Sequence, residues 1–418
     1  MDVRTALEDT RSRTLDLLDP LPVDAVTAQH SELMSPLVWD FAHIAHFEEL
    51  WLLRELAGDA PTDPRFDDVY DAFKHPRRDR PSLDLLDLDN AHRFAAVVRA
   101  RVIDRLPDDD TEADAAASLY GMVVQHEQQH IETMLATLQL REAPYPVPRG
   151  PGPAGDPSAE GEISVVGGAF TMGTGDEPWA YDNERPAHER IVEPFTIDRT
   201  PVTNRAYLAF VAAGGYRDDE AWSDAGREWR DEAGLVHPEF WREEPDGSFG
   251  RRRFGHWEAL PPDEPVQHVC WYEADAFARW SGKRLPTETE WEYAASWDAT
   301  RGTKSRFPWG GDVDAGRANL GGGRFRPDPV GSHPRGVSPS GCHQMVGDVW
   351  EWTATEFTGY PGFTAFPYRE YSEVFFGDGY RVLRGGSWAT DASAVRTTFR
   401  NWDFPIRRQI FAGFRCAR

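Results

Sequence analysis

Only three of the 418 residues are cysteine, and Cys270, Cys342 and Cys416 stand far apart. That spacing excludes a disulfide framework and points to a reducing cytoplasm. Long hydrophobic runs are also missing. No apolar stretch approaches the roughly 20 residues that cross a bilayer, and the opening Met1-Asp2-Val3-Arg4-Thr5 lacks a signal peptide's apolar core. Neither a membrane role nor export is therefore expected. Positive charge is in short supply: 45 Lys and Arg stand against 70 Asp and Glu, a net charge of -25. A chain so acidic repels phosphates, which excludes nucleic acid as a partner.

What is present is the composition of a soluble globular protein, 40% hydrophobic and 12% aromatic, with 16 tryptophans crowded towards the second half. A chain of this length exceeds one ordinary core, and two domains are expected. Residues 1–142 read as a four-helix bundle. Leu7, Leu15, Leu17 and Leu18 mark a first amphipathic helix. A second runs from a Ser35 N-cap through Trp39, Phe41, Ile44, Phe47, Leu50, Trp51 and Leu53. A third covers Asn90 to Leu106 and a fourth Thr111 to Leu140, with a polar, proline-punctuated segment between Leu56 and Leu83. Residues 143–161 are rich in proline and glycine with little to bury, and read as a linker. Residues 162–418 read as an irregular α+β domain, helical at Asn204–Ala213 and at Trp271–Ser281 with a continuation over Thr287–Ala295. The fold class expected is multidomain, α followed by α+β.

The run Gln125-His126-Glu127-Gln128-Gln129-His130-Ile131-Glu132 carries the chemistry. Positions four apart share a helix face, so His126 and His130 can grip one metal ion. The same letters spell the zinc-protease motif, with Glu127 as general base. A protease is disfavoured because Glu127, Gln128 and Gln129 are polar where such helices carry apolar residues, and no third ligand follows at the right spacing. The second helix offers His43 and His46. His43 is chosen as the third ligand, since helices two and four can bring it to His126 and His130. Three imidazoles on one side leave further positions open on the metal, and Glu132 is placed to orient a ligand.

These residues carry a resemblance. The first domain, with His43 and His126-x3-His130-x-Glu132, resembles the DinB-like helical bundle. The second resembles the formylglycine-generating-enzyme (sulfatase-modifying factor) fold, related to C-type lectins. Its marks are Gly167-Gly168-Ala169-Phe170-Thr171-Met172-Gly173, Pro265-Val266-Gln267-His268-Val269-Cys270-Trp271, Arg284-Leu285-Pro286-Thr287-Glu288, Gly347-Asp348-Val349-Trp350-Glu351-Trp352, Arg384-Gly385-Gly386-Ser387-Trp388 and Gly413-Phe414-Arg415-Cys416. Formylglycine chemistry itself is not expected, because Thr390 and Val395 stand where that activity needs cysteines. The whole chain is similar to the sulfoxide synthases of ergothioneine biosynthesis.

The resemblance implies a non-haem iron(II) enzyme using O2 to join the sulfur of γ-glutamylcysteine to the imidazole C2 of hercynine (Nα-trimethylhistidine), leaving a sulfoxide. It maps the iron ligands to His43, His126 and His130, and a hercynine contact to Gln129. Asn401 and Trp402 would hold hercynine; Asp403 and Arg407 would hold γ-glutamylcysteine. Arg77, then Arg80, would bind its other carboxylate. Tyr368 maps to the catalytic tyrosine, with Tyr371 its neighbour and Tyr380 a weaker candidate. Rival readings are a relative using cysteine, histidine or a selenium donor, a zinc or nickel thiol transferase of DinB type, and a non-catalytic lectin-like binding protein. Histidine sites also suit zinc, cobalt and nickel. The oligomeric state is left open, with a monomer compatible.

Overall fold

The computed structural model describes residues 2–106, 110–314, 316–377 and 379–418, and of 110–115 the helical path alone. The chain divides into two compact units, Met1–Pro146 and Val147–Arg418.

In the first unit, α1 (Val3–Leu18) starts where the Asp2 carboxylate accepts from Thr5 N, and buries Leu7, Arg11, Thr14 and Leu18 at three-to-four-residue spacing. A short α2 (Val23–Thr27) leads into α3 (Leu37–Glu48), buried along its entire length. Ser35 does not cap α3. Pro36 takes the cap position, and Ser35 Oγ accepts instead from Arg80 Nη1 at 2.7 Å. Beyond Glu48 the helix continues in a wider π turn over Glu49–Glu55. The polar segment that follows is ordered by a short α4 (Phe66–Val69) and a 3-10 turn over Arg77–Ser82. Asp87 caps α5 (Leu88–Ile103), and α6 (Asp110–Leu140) is the long helix carrying the histidine pair.

The second unit starts with antiparallel pairs of β1 (Glu162–Val165) with β4 (Phe195–Asp198) and of β2 (Gly168–Met172) with β3 (His188–Val192). Then come α7 (Asn204–Ala212), α8 (Asp224–Ala233), and a meander of β5 (Trp241–Glu243), β6 (Phe249–Arg253) and β7 (His256–Ala259). The helices α9 (Trp271–Trp280) and α10 (Glu288–Ser296) are separate, α10 being opened by a Thr287/Glu290 capping box. A small pair, β8 (Trp297–Asp298) with β9 (Thr303–Lys304), precedes the main sheet. Its order is β12 (Asn401–Asp403), β11 (Arg381–Arg384), β10 (Trp350–Glu356), β13 (Ala412–Gly413), with only β10 and β13 parallel. The helix α8 was not expected. It is polar on most faces, and its signals are the Ser223 cap and the left-handed Gly234 at its end.

The recurrent motifs of this unit are buried charges that satisfy one another. Arg384 donates to Glu288 and Glu292 of α10 at 2.7 and 2.6 Å, and Arg400 donates to Glu288. Arg415 donates to Glu351, which also accepts from Trp291 Nε1. A buried arginine is tolerated only with such partners, since each unpaired charge costs several kcal/mol. Thr390 and Val395 both lie against Gly386, where an added Cβ would stand 3.0 Å from Val395 Cγ2 and 3.3 Å from Thr390 Cβ. The spot beside Gly386 thus holds a Thr hydroxyl and a Val methyl and no thiol, as the sequence implies.

The stretch 143–161 has more to bury than its composition suggests. The Tyr145 hydroxyl donates to Leu17 O in the first unit, and Gly155 lies so close to Pro329 in the second that a Cβ would stand 2.7 Å from its ring.

Candidate metal centre

His43 on α3 and His126 and His130 on α6 converge: one ring nitrogen from each lies within 4.8 Å of the others. His43 Nε2 and His126 Nε2 stand 3.2 Å apart. Two nitrogens about 2.1 Å from one ion and at right angles would be separated by about 3 Å, so the spacing suits a shared ion. The polar groups behind the rings fix which nitrogen faces inwards. His43 Nδ1 donates to Tyr70 O at 2.7 Å, leaving Nε2 as a bare lone pair. His130 Nδ1 donates to the buried Asp40 carboxylate at 3.1 Å, with the same consequence. His126 differs: its Nδ1 is buried with no hydrogen-bond partner among the described residues, and its ring stacks on Phe47 at 3.7 Å and 12°. Burial, and then the neighbouring imidazoles, push His43 and His126 well below the usual imidazole range, so both are neutral and able to ligate a metal. The chemistry of this donor set fits iron(II), zinc, cobalt or nickel.

Around it, Trp39 stacks on His43 at 4.7 Å and 12°, and Arg80 lies over the other end of that stack, 3.6 Å from the Trp39 ring. Their spacing on α3 is i, i+4, a signal the sequence offered. The Arg80 guanidinium donates to Ser35 Oγ, His75 O and Ala72 O, and burial lowers its pKa to about 10. It is enclosed by protein, whereas Arg77 is exposed and holds Leu33 O at 3.1 Å. Gln129 is half-buried on the ligand face of α6, three residues from His126 and next to His130.

Most of the polar residues around the two histidines of α6 are buried. Gln125, Glu127 and Gln128 are enclosed. The Glu127 carboxylate accepts from Arg11 Nε at 2.7 Å, Arg99 Nη2 at 2.8 Å and Thr14 Oγ1 at 2.8 Å. Burial alone would raise its pKa, but the two arginines outweigh burial and hold it below the usual range. A carboxylate committed in this way does not serve as the general base of a protease.

In the second unit, Tyr368, Tyr371 and Trp402 form a chain of rings, Tyr368 to Tyr371 at 6.2 Å and Tyr371 to Trp402 at 5.9 Å. Alternation along β12 sends Asn401 and Asp403 to one side and Trp402 to the other. There Trp402 stacks on Phe357 at 4.1 Å and 7°, and Tyr371 stacks on Tyr181 at 4.1 Å. Tyr380 stacks on Phe404. Arg407 Nε stands 3.4 Å from Asp403 Oδ1, and each of these side chains keeps 25% exposure. Phe357 and Tyr181 went unnoticed in the sequence, where no spacing ties them to these residues. Asp40, Tyr70 and Phe47 were missed too, although Asp40 lies one turn before His43.

Residues 149–418 match the family described as sulfatase-modifying factor enzyme 1-like domain, and residues 6–134 match the DinB superfamily. Bundle and second domain together define a two-part oxygenase class. Among its curated relatives, the hercynine oxygenase of Mycolicibacterium thermoresistibile is 52% identical, covering 98% of this chain and 93% of its own. That of Mycolicibacterium smegmatis is 49% identical over 97% and 96%, and that of Mycobacterium tuberculosis 47% over 98% and 97%. The chain belongs to the hercynine oxygenase family. Among the described residues, no helix is long and apolar enough to cross a membrane.

Proposed function

We propose that this protein is an iron(II)- and O2-dependent sulfoxide synthase that joins the sulfur of γ-glutamylcysteine to C2 of hercynine. The observation that carries this reading is the convergence of His43, His126 and His130 in a chain about half identical to hercynine oxygenases from end to end. The reaction balances as hercynine plus thiol plus O2 giving sulfoxide plus water. The C2–H and S–H bonds break, C–S and S–O bonds form, and the second oxygen atom leaves as water.

Iron(II) held by the three imidazoles supplies the activation of O2. The remaining roles fall to side chains. The Gln129 amide hydrogen-bonds the hercynine imidazole, and Asn401 receives its amino-acid end, while Trp402, on the other side of the strand, backs the Tyr371 and Tyr368 rings. Asp403 and Arg407 pair with each other across 3.4 Å, and the α-amino acid zwitterion would separate them, its ammonium going to the acid and its carboxylate to the guanidinium. Arg77, exposed where Arg80 is enclosed, takes the second carboxylate. The Tyr368 hydroxyl supplies the proton that favours C–S bond formation over oxidation of the thiol alone, with Tyr371 beside it.

The test is an anaerobic, iron(II)-loaded assay with hercynine, opened to O2 and read by mass spectrometry, with γ-glutamylcysteine and cysteine in parallel. A sulfoxide from γ-glutamylcysteine is expected. Product from cysteine alone would overturn the Arg77, Asp403 and Arg407 roles, and no product from either would overturn the reading.

A further inference from the structure

Each helix that carries a proposed iron ligand also carries, beside a ring of the metal centre, one buried glutamate. On α3, Phe47 is followed by Glu48; on α6, His126 is followed by Glu127. The two rings stack at 3.7 Å. The two glutamates are joined by two arginines from the other long helices, Arg11 of α1 and Arg99 of α5. Arg11 Nη2 reaches Glu48 Oε2 at 2.9 Å while its Nε holds Glu127 at 2.7 Å. Arg99 Nε and Nη2 hold Glu48 at 2.6 and 3.0 Å, and Nη2 also holds Glu127 at 2.8 Å. Glu48 is 0% exposed, Glu127 1%, Arg11 7% and Arg99 8%. The four charges cancel, and the spare arginine N–H groups reach the Ala95 and Leu7 carbonyls.

Four buried charges are a poor way to gain stability, because desolvation offsets most of their attraction. They are a good way to fix register: sliding or rotating one helix would strand a charge at a cost of several kcal/mol. Register is also what His126 requires. His43 and His130 are aimed by hydrogen bonds from Nδ1, whereas His126 Nδ1 has none among the described residues. Its direction depends on the Phe47 ring, and so on how α3 meets α6.

We propose that the Arg11–Glu48–Arg99–Glu127 quartet is the positioning device for His126, setting α3 against α6 so that the Phe47 ring aims this ligand at the metal. The proposal rests on the metal-centre reading above. Cobalt(II), bound anaerobically in place of iron, is the probe, because its visible spectrum reports ligand geometry without turnover. The charge-balanced variants Glu48→Gln/Arg99→Met and Arg11→Met/Glu127→Gln each remove one opposite pair. Both are expected to keep their helical signal, to bind cobalt(II) about ten-fold more weakly, and to show an altered spectrum. Phe47→Leu, which leaves every charge in place, is expected to give the same spectral change. Leu7→Ala, a core truncation in α1, is expected to lower the melting temperature with the cobalt spectrum unchanged. An unchanged spectrum in folded double variants or in Phe47→Leu would overturn the proposal, as would an equal change in Leu7→Ala. Cobalt(II) uptake by the unmutated protein separates this proposal from the metal reading, since its absence there would overturn both.

Discussion

Replacing Asp40 tests whether the groups behind the imidazoles, and not the imidazoles alone, make the metal site. Asp40 Oδ1 accepts from His130 Nδ1 at 3.1 Å, and the residue is 1% exposed, so water does not readily take its place. In Asp40→Ala the His130 ring loses a charged acceptor. Such a bond contributes about 1.5–3 kcal/mol. The ring also loses its tautomer preference, so part of the population turns an N–H towards the metal. Together these predict metal binding weaker by about 10- to 100-fold. Asp40→Asn keeps an acceptor oxygen but not the charge, and should lie between wild type and Asp40→Ala. The assay is an anaerobic competition titration of iron(II) against a chelator of known affinity. Binding by Asp40→Ala within about two-fold of wild type would refute the reasoning, because this range leaves no room for so small an effect. An Asp40→Asn variant as impaired as Asp40→Ala would show that the charge, and not the acceptor, sets the ring.

Three further outcomes follow from the same geometry. Tyr368→Phe removes the proposed proton donor and should divert product from sulfoxide to the sulfinic acid of the thiol; unaltered sulfoxide output would remove Tyr368 from the mechanism. Arg407→Ala should raise the KM for γ-glutamylcysteine about ten-fold or more while leaving that for hercynine near its starting value; equal loss for both would count against the pairing with Asp403. His268 is buried, and burial lowers its imidazole pKa to about 3 from the usual 6.5. The unfolded chain takes up a proton near 6.5 that the folded chain does not. Stability is therefore lost as pH falls through that value, by about 2 kcal/mol at pH 5 from this residue. His268→Asn, which tolerates the left-handed φ of 64°, should flatten that slope in denaturant titrations at pH 7 and pH 5. An unchanged slope would refute the assignment.

Much of the metal centre is a short-range matter and can be read along the chain. His126 and His130 share a face because four residues make about one helical turn, and Trp39 stacks on His43 for the same reason. The α7 and α9 helices and the α10 capping box are local in the same sense, their signals lying within one turn of each boundary. The α8 helix was harder, because its polar letters resemble a loop and only its two caps mark it.

By itself, the sequence determined the four-residue spacing of His126 and His130 and the motifs by which the chain resembles its family. Tertiary structure alone decided how each polar residue is used. The run Gln125, Glu127, Gln128 looks solvated, but Arg11 and Arg99, distant in sequence, enclose Glu127 and turn a candidate base into a fixed anion. Arg80 looks like surface charge but lies on Trp39 with three protein acceptors. Burial and partners are long-range properties, set when separate helices pack, whereas helix-face periodicity is already present in the order of the residues.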